Sequence, residues 1–366
     1  MHLATQCNQN AVFGFTRIMR KAKLLWHKIT HWEYWPYQIV YLPVYFQYGY
    51  YALRMRSLFF FSLANSGFSN GGFFTTSKKE IYDTIPKEYY PKTLLFEPNT
   101  PFETILESIQ NEEISFPIIV KPDVGLRGTA VKKIETEKEL KNTLSSISYP
   151  FLVQELVSYS NEIGLFYVKL PNENEGKITG IVSKEFLTVI GNGKATIKTL
   201  LLENPRFAFQ LDTLAKDNKI DLNYIPTKDE KVTLVPFGNH CRGAKFIDES
   251  HLISKELTAT FNSICNQIKG FNYGRMDIMF DNFSDLENGK HFKIIEINGV
   301  ISEPTHMYDP KHSLFFGWKE LLRHYKYLYK IAKFELKNGK KPIAHAVGKN
   351  EFNKHFEHLK KMTKSK

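Results

Sequence analysis

The sequence predicts a protein of the α+β class, with strands and helices that follow no regular βαβ repeat. The absence of a regular βαβ period is one observation that supports this class, and the excess of strand-like segments is another. Beyond residue 100, short apolar segments with strand periodicity outnumber segments with helical periodicity. The chain has 366 residues, of which 42% are hydrophobic and 24% charged, which is enough for two or three layered domains.

The expected elements follow from the spacing of apolar residues and from the turn residues between them. A turn rich in Gly, Ser and Asn at 63–80 leads into a helix that Pro86 and Pro91 close. Further helices are expected at 102–111, 136–146, 195–203 and 252–269. Strands are expected at 116–122, 130–134, 151–157, 162–169, 177–189, 230–236, 272–281 and 291–298.

The first hundred residues are rich in aromatic side chains and poor in acids, which indicates a separate module. The interpretation we favour is that these aromatic side chains are buried against the rest of the chain. The alternative is peripheral membrane contact, with a basic helix at 11–30 lying on anionic lipid. The apolar stretch 37–64 is interrupted by Gln47, Arg54 and Arg56, so we expect no transmembrane helix there.

Charge and cysteine content narrow the class of protein. The formal net charge is +11, with much of the excess near the two ends, and this charge alone does not distinguish nucleic acid, membrane and small anions as partners. The three cysteines form no CxxC pair, which argues against a disulfide framework or a zinc site. No secretory signal is apparent, so we expect a cytoplasmic protein.

The strongest chemical pattern lies in two expected strands, FNYGRMDIMFD and HFKIIEINGV. Side chains alternate along a strand, so Arg275 and Asp277 share one face, as do Glu296 and Asn298. If the strands pair, three oxygen ligands and one guanidinium converge, and Mg²⁺ prefers such oxygens together with nucleotide phosphates. The plainer interpretation is a solvated hairpin face. Against it, Glu296 lies in the apolar run IIEI, where an unpaired carboxylate is costly.

Two further segments suit nucleotide binding. In FPIIVKPDVGLRGTAV, a strand delivers Lys121 to a loop with Gly125 and Gly128, whose backbone amides can approach phosphate oxygens closely. In FLVQELV, a strand ends at Gln154 and Glu155, where exposed backbone groups can bond adenine. Each segment alone is equally compatible with an ordinary turn or edge strand.

In this order, from about residue 75 to 325, the three patterns resemble the ATP-grasp superfamily of ADP-forming carboxylate-amine ligases. The resemblance extends to D-alanine:D-alanine ligase, cyanophycin synthetase and the fused bacterial glutathione synthetase. It implies two α+β lobes that hold ATP between them, at 101–190 with the Gly-rich flap and at 191–330 with the metal site. The remaining parts would be an aromatic-rich N-terminal module and linker at 1–100 and a basic tail at 331–366.

The resemblance also implies roles for individual residues. The flap from Gly125 to Thr129, with Lys121 and Lys184, would bind phosphates, and Lys78 would do so in competition with Lys79. Arg275 would lie beside the transferred phosphoryl group and the tetrahedral intermediate. The remaining nucleotide and metal residues are Arg127 and Gly128 in the flap, Gln154, Glu155, Leu156 and Val157 near adenine, Glu162 at the ribose, and Asp277, Glu296 and Asn298 as ligands of Mg²⁺ or Mn²⁺.

One segment and four single residues bear on the substrates. The segment VIGNGKATIKTLL resembles one found in ligases that join amino acids, whereas residues 1–75 lack the Gly-rich lobe of D-alanine:D-alanine ligase. Candidate substrate contacts are His240, Arg242, Glu303 and His306, and each histidine is equally well interpreted as structural. We expect small carboxylate and amine substrates and no nucleic acid. Alternatives are modification of a cell-surface polymer or lipid-linked acceptor at the membrane, and a non-catalytic nucleotide-binding module.

Overall fold

The computed structural model describes residues 19, 21–73, 75–125, 130–217, 220–235 and 243–364. Its α-helices are numbered in chain order, beginning with α1 at 21–30. The others are α2 (Tyr37–Val40), α3 (Leu42–Met55), α4 (Lys78–Tyr82), α5 (Phe102–Asn111), α6 (Glu137–Leu144), α7 (Ile197–Glu203), α8 (Pro205–Ala208), α9 (Leu211–Asp217), α10 (Lys255–Gln267), α11 (Phe283–Glu287), α12 (Leu314–Lys337) and α13 (His345–Lys364). Among these described residues, no helix is long and apolar enough to cross a membrane.

The strands pair in antiparallel fashion wherever their register is described. They are β1 (Thr93–Phe96), β2 (Ile118–Pro122), β3 (Lys132–Ile134), β4 (Phe151–Glu155), β5 (Asn161–Val168), β6 (Lys177–Glu185), β7 (Leu187–Ile190), β8 (Lys231–Val235), β9 (Lys245–Asp248), β10 (Tyr273–Phe280) and β11 (Phe292–Asn298). One sheet has the order β1-β4-β2-β3, a second contains β11-β10-β5-β6, and β7 pairs with β8. The mixed fold with antiparallel sheets is therefore confirmed.

The predicted elements agree with the structure within a few residues, with one exception. The single strand expected at 177–189 is two strands, β6 and β7. The chain leaves the sheet of β5 near Phe186, and β7 pairs with β8 instead. An uninterrupted apolar pattern does not show that a strand changes partners.

The chain divides into two compact units. One comprises residues 1–42, 184–247 and 308–317, and its core is formed by β7, β8 and the helices between them, including Leu187, Leu201 and Leu214. The other comprises residues 43–183, 248–307 and 318–366. The domain limits expected near residues 100, 190 and 330, and the aromatic module before them, stay predictions.

The second unit contains two β-sheets, each with its own apolar core. The four-stranded sheet packs against α5 and α6 through residues such as Ile105, Ile118 and Leu140. The sheet of β10 and β11 packs against α10 through Phe261, Ile264 and Met276 among others. In these helices and strands, the apolar side chains recur at helical and strand spacing, so each element has one apolar face. Burial of that face determines how the helices pack on each sheet.

The loop before α4 is fixed to the start of β10 by one buried amide, that of Asn65. Its Nδ2 donates to the carbonyl oxygens of Gly71 and Tyr273, at 3.1 and 2.7 Å. Its Oδ1 accepts from the backbone N–H groups of Asn272 and Tyr273, at 3.0 and 2.9 Å. Gly71 and Gly72 have φ of +76° and +82°, a left-handed conformation that favours glycine. The Gly- and Asn-rich composition of this segment is thus explained by its geometry.

We expect Asn65→Ala to lower the free energy of unfolding by about 2–4 kcal/mol, because it leaves several buried backbone groups without partners. Urea denaturation followed by circular dichroism measures the change. A matched control is Asn142→Ala, since Asn142 is exposed on α6, and its effect should be within about 0.5 kcal/mol. Equal stability of both variants would contradict the role assigned to Asn65.

Candidate active site

The pairing of β10 with β11 brings the strongest sequence pattern together. Arg275 lies opposite Asn298, and Asp277 lies opposite Glu296. The register then shifts, so that Ile278 lies opposite Ile294 and Ile295 is an extra residue on β11. This bulge changes the phase of the strand: Phe292, Ile294 and Ile297 are buried in the core, while Glu296 and Asn298 lie on the other face and are half-buried.

Arg275 and Asp277 form a bidentate ion pair on this face. Arg275 Nε is 3.0 Å from Asp277 Oδ1, and Nη2 is 3.3 Å from Oδ2. Burial would lower the pKa of Arg275, but the neighbouring Asp277 carboxylate outweighs it and raises that pKa. The pair lies next to Gly164 on β5, where a Cβ atom would be 3.2 Å from Arg275 Cδ and 3.2 Å from Asp277 Oδ1. A glycine on β5 therefore leaves room for the pair.

Lys121, at the end of β2, is buried beside the same hairpin. Its Nζ donates to Tyr82 OH at 2.9 Å and to Gln154 Oε1 at 2.8 Å, and it lies 3.5 Å from the carbonyl oxygen of Ile295. Tyr82 OH also donates to that carbonyl oxygen. Burial lowers the pKa of Lys121 to about 8, against the opposing effect of the nearby carboxylates of Glu296 and Asp123. A buried ammonium without a full counter-charge is well placed to receive an anionic ligand.

A second lysine reaches this cluster from α4. Lys78 Nζ donates to the carbonyl oxygen of Gly125 at 2.7 Å and lies 3.8 Å from Glu296 Oε1. Lys79 instead pairs with Asp83, the residue that follows α4. Of the two lysines between which the sequence did not decide, Lys78 is the one that lies among the candidate residues.

The donors Asp277, Glu296 and Asn298 are suited to a hard divalent cation. Among the described residues, the buried side-chain amide nitrogen of Asn298 has no hydrogen-bond partner, and a 180° rotation of the amide would exchange its nitrogen and oxygen. With the amide oxygen in that position, Asn298 would be a ligand for a hard divalent cation. Within the described part of the chain, no group of three His, Cys, Asp or Glu side chains is arranged to hold a metal, so this trio depends on its amide.

The backbone beyond the end of β4 lies where the sequence predicts an adenine site. Glu155 is still tied to the neighbouring segment, since its backbone N–H donates to the carbonyl oxygen of Lys92 at 2.9 Å. Beyond it, the hydrogen bonds of the described residues leave the backbone groups of Leu156 and Val157 unpaired. Glu162, at the start of β5, lies opposite Met279 of β10.

Of the candidate substrate residues, His306 is deeply buried. Its Nε2 lies 3.2 Å from Glu320 Oε2, and its ring packs against Gly180 of β6. Glu320 also accepts from Arg323, which donates to the carbonyl oxygen of Thr179 at 2.9 Å. This environment favours the structural interpretation of His306. Glu303 is half-buried, close enough for its charge to raise the pKa of Arg275.

Several candidates cannot be placed beside the hairpin. Arg127, Gly128, His240 and Arg242 lie outside the described residues. Lys184 is half-buried on β6 and belongs to the unit of residues 184–247. The site roles of these five, like those of the other candidate residues, stay predictions.

Sequence reasoning missed Tyr82, Asp123 and Gly164. Tyr82 is fully buried, with a pKa raised by burial, and links Lys121 to β11. Asp123 is buried and accepts from the Ser77 hydroxyl and the Lys79 backbone N–H, both at 3.0 Å. The helical spacing of Lys78 and Tyr82, four residues apart, was a usable signal because it puts both on one helix face.

No family model and no curated protein matches the sequence. Among solved structures, a bifunctional glutathione synthetase from Pasteurella multocida aligns over 70% of this chain and 38% of its own, with 15% identity and a TM-score of 0.39. The VanG D-Ala:D-Ser ligase from Enterococcus faecalis aligns over 69% and 61%, with 14% identity and a TM-score of 0.40. The D-alanine–D-alanine ligase from Bacillus anthracis aligns over 72% and 68%, with 14% identity and a TM-score of 0.40.

This chain therefore spans less than two thirds of the first two structures, and well under half of the glutathione synthetase. An ATP-grasp ligase, PsnB, solved with a minimal precursor, aligns over 63% of this chain and 54% of its own, with 13% identity and a TM-score of 0.35. These four alignments have sequence identities of 13–15% and TM-scores between 0.35 and 0.40. They assign no activity to this chain.

Proposed function

We propose that this chain is an ATP- and Mg²⁺-dependent ligase of the ATP-grasp type, which activates a carboxylate as an acyl phosphate and joins it to an amine. The observation that carries the proposal is the convergence of two lysines, one arginine and three oxygen donors at the β10–β11 hairpin. Lys78 and Lys121 come from α4 and β2, whereas the Arg275–Asp277 pair, Glu296 and Asn298 come from the hairpin itself. Cations and oxygen donors in one cluster suit a metal-bound polyphosphate.

The nucleotide would be held by the neighbouring strand ends. Leu156 and Val157 offer unpaired backbone groups to adenine, and Glu162 would accept the ribose hydroxyls. Lys78, Lys121 and Lys184 would meet the phosphates, with the flap from Gly125 to Thr129. Asp277, Glu296 and Asn298 would hold the cation, which would offset phosphate charge and polarise the transferred group.

The reaction then needs a cation beside the developing oxyanion. Arg275 is held in place by both oxygens of Asp277, so its orientation is fixed before substrates bind. The substrate carboxylate would attack the γ-phosphate of ATP, releasing ADP, and the amine would displace phosphate from the acyl phosphate. The products are ADP, phosphate and an amide. An amino acid or peptide is the substrate type that the resemblance of segment 189–201 implies.

The function is tested by an ADP-release screen over pairs of amino acids, dipeptides and sugar acids, with mass spectrometry of any product. We expect ADP release that requires both a carboxylate and an amine, together with an amide of the combined mass less water. ADP release with a phosphorylated or esterified product would refute amide formation and favour modification of a hydroxyl acceptor. No ADP release from any pair, despite nucleotide binding, would favour a non-catalytic module.

We expect Glu296→Gln to lose turnover by about 100-fold or more, about 2.7 kcal/mol of barrier, because the change removes one charge from the cation site at constant volume. ADP release under saturating ATP and Mg²⁺ measures it, with circular dichroism to confirm the fold. The matched control is Glu107→Gln, since Glu107 is exposed on α5. Activity of Glu296→Gln equal to that control would refute the metal assignment.

The lowered pKa of Lys121 predicts a pH dependence of ATP binding. In the free protein the ammonium loses its charge as pH rises through about 8, whereas bound phosphates would keep it protonated. ATP affinity should therefore be highest below about pH 8 and fall about tenfold by about pH 9. Isothermal titration calorimetry with a non-hydrolysable ATP analogue measures this fall.

The matched variant is Lys121→Arg, which stays charged over this range, so its affinity should not change between about pH 7 and about pH 9. If the larger guanidinium prevents binding, Lys121→Met provides the test. It should bind at about pH 7 as weakly as the wild type does well above about pH 8. A wild-type affinity independent of pH would contradict a phosphate contact by Lys121.

A further inference from the structure

Helix α3 has two apolar faces, and only one of them is buried. On the inner face, Val44, Tyr51 and Met55 are buried, and the Tyr51 ring stacks on Tyr329 of α12 at 4.1 Å with 6° between the planes. This face belongs to a core cluster that also contains Phe60 and Ala332. The inner face is enough to hold α3 on the unit, so the apolar residues of the outer face need another explanation.

The outer face presents large apolar side chains to solvent. Phe46, Tyr50 and Leu53 are 74%, 55% and 80% exposed, and they lie at positions i, i+4 and i+7 of the helix. An open groove of about 750 Å³ continues this surface past the end of the helix, between Leu58 and the segment around Ile343. Contiguous exposed apolar surface of this kind marks an interaction site on most soluble proteins.

Basic residues flank this face at the end of α3. Arg54 and Arg56 are exposed at the end of α3, and the Arg54 guanidinium lies 5.9 Å from the centre of the Tyr50 ring. Lys341, before the groove segment, is also exposed. No acidic residue occurs between Glu33 and Glu80. An apolar stripe flanked by arginines is complementary to an apolar phase covered by anionic groups.

We infer that the outer face of α3 docks on the surface of an anionic phospholipid bilayer. The 14 residues of α3 make a helix about 21 Å long, shorter than the roughly 30 Å hydrocarbon core, so the helix lies in the plane of the interface. Phe46 and Leu53 enter the acyl region, Tyr50 lies at the level of the headgroups, and Arg54 and Arg56 contact lipid phosphates. This inference is independent of the proposed ligase chemistry.

Two other occupants fit the surface less well. A second copy of the chain, docked by the same face, would offer Arg54 and Arg56 no acidic partner from α3, since no acidic residue occurs between Glu33 and Glu80, and unpaired charges at a contact oppose association. A nucleic acid would suit the arginines but would leave Phe46 and Leu53 in water. An anionic membrane offers acyl chains to the apolar residues and phosphate groups to the arginines.

The test is co-sedimentation of the full-length protein with phosphatidylcholine vesicles, with and without about 30% phosphatidylglycerol. We expect binding to the anionic vesicles that weakens about tenfold or more as salt rises from about 0.05 M to about 0.5 M, because the arginine contacts are screened. Little binding to pure phosphatidylcholine is expected. Absence of binding to either vesicle, or equal and salt-independent binding to both, overturns the inference.

Two pairs of variants locate the surface. Phe46→Ser/Leu53→Ser should weaken vesicle binding about tenfold or more, whereas Leu95→Ser/Ile190→Ser, at residues 40% and 58% exposed, should not. Arg54→Gln/Arg56→Gln should remove most of the preference for anionic lipid, whereas Lys132→Gln/Lys138→Gln, also exposed, should keep it. Circular dichroism and ATP-analogue binding show that each variant is folded, since none of these residues lies in the candidate site.

Two results would overturn the inference. If Phe46→Ser/Leu53→Ser binds vesicles like the wild type, α3 is not the docking face. Suppose that the wild type does not bind vesicles, that light scattering shows it to be a dimer, and that Phe46→Ser/Leu53→Ser is a monomer. The outer face of α3 is then a contact between two copies of the chain. Loss of vesicle binding with ADP release intact separates this inference from the proposed function.

Discussion

The candidate site depends on one extra residue in β11. With strict alternation, Glu296 and Asn298 would point to the same side as Phe292 and Ile294, into the apolar core. The bulge at Ile295 shifts the phase, so that Ile297 continues the core and the two polar residues lie on the face of Arg275 and Asp277. A buried carboxylate would otherwise cost several kcal/mol. The bulge also frees the Ile295 carbonyl oxygen from the ladder to meet Tyr82 and Lys121.

The electrostatics of the site follow from this geometry. Asp277 forms an ion pair with Arg275, and Glu296 lies 3.8 Å from Lys78. Among the described residues, the groups in direct contact with the Lys121 ammonium are neutral: Tyr82, Gln154 and the Ile295 carbonyl oxygen. The result is a buried cation whose pKa is already lowered to about 8 before any ligand arrives. Burying an ammonium without a direct counter-charge costs free energy. This arrangement is typical of a site that binds an anion, because the ligand supplies the missing negative charge. This is why we regard the cluster as a polyphosphate site and the Arg275–Asp277 pair as its fixed part.

Much of this arrangement was predictable from sequence, because it depends on local periodicity. The alternation in GRMDIMF and in the run around Glu296 predicts which side chains share a face, and apolar spacing predicts where the strands lie along the chain. The bulge was not predictable, since nothing in IIEIN marks Ile295 as the extra residue. Tyr82 was missed because its role depends on a contact 213 residues away in sequence. The division of 177–189 into β6 and β7 was missed for a similar reason: a change of strand partner is a long-range event.

The central claim is that the shared face of β10 and β11 holds the metal and phosphates of a nucleotide. It is tested most directly by a crystal structure with Mn²⁺ and a non-hydrolysable ATP analogue, in which anomalous scattering locates the metal. Our account predicts the anomalous peak between Asp277, Glu296 and Asn298, with the phosphates beside Lys78 and Lys121 and adenine at Leu156 and Val157. A nucleotide bound elsewhere, with these side chains unchanged and no metal on this face, would contradict it.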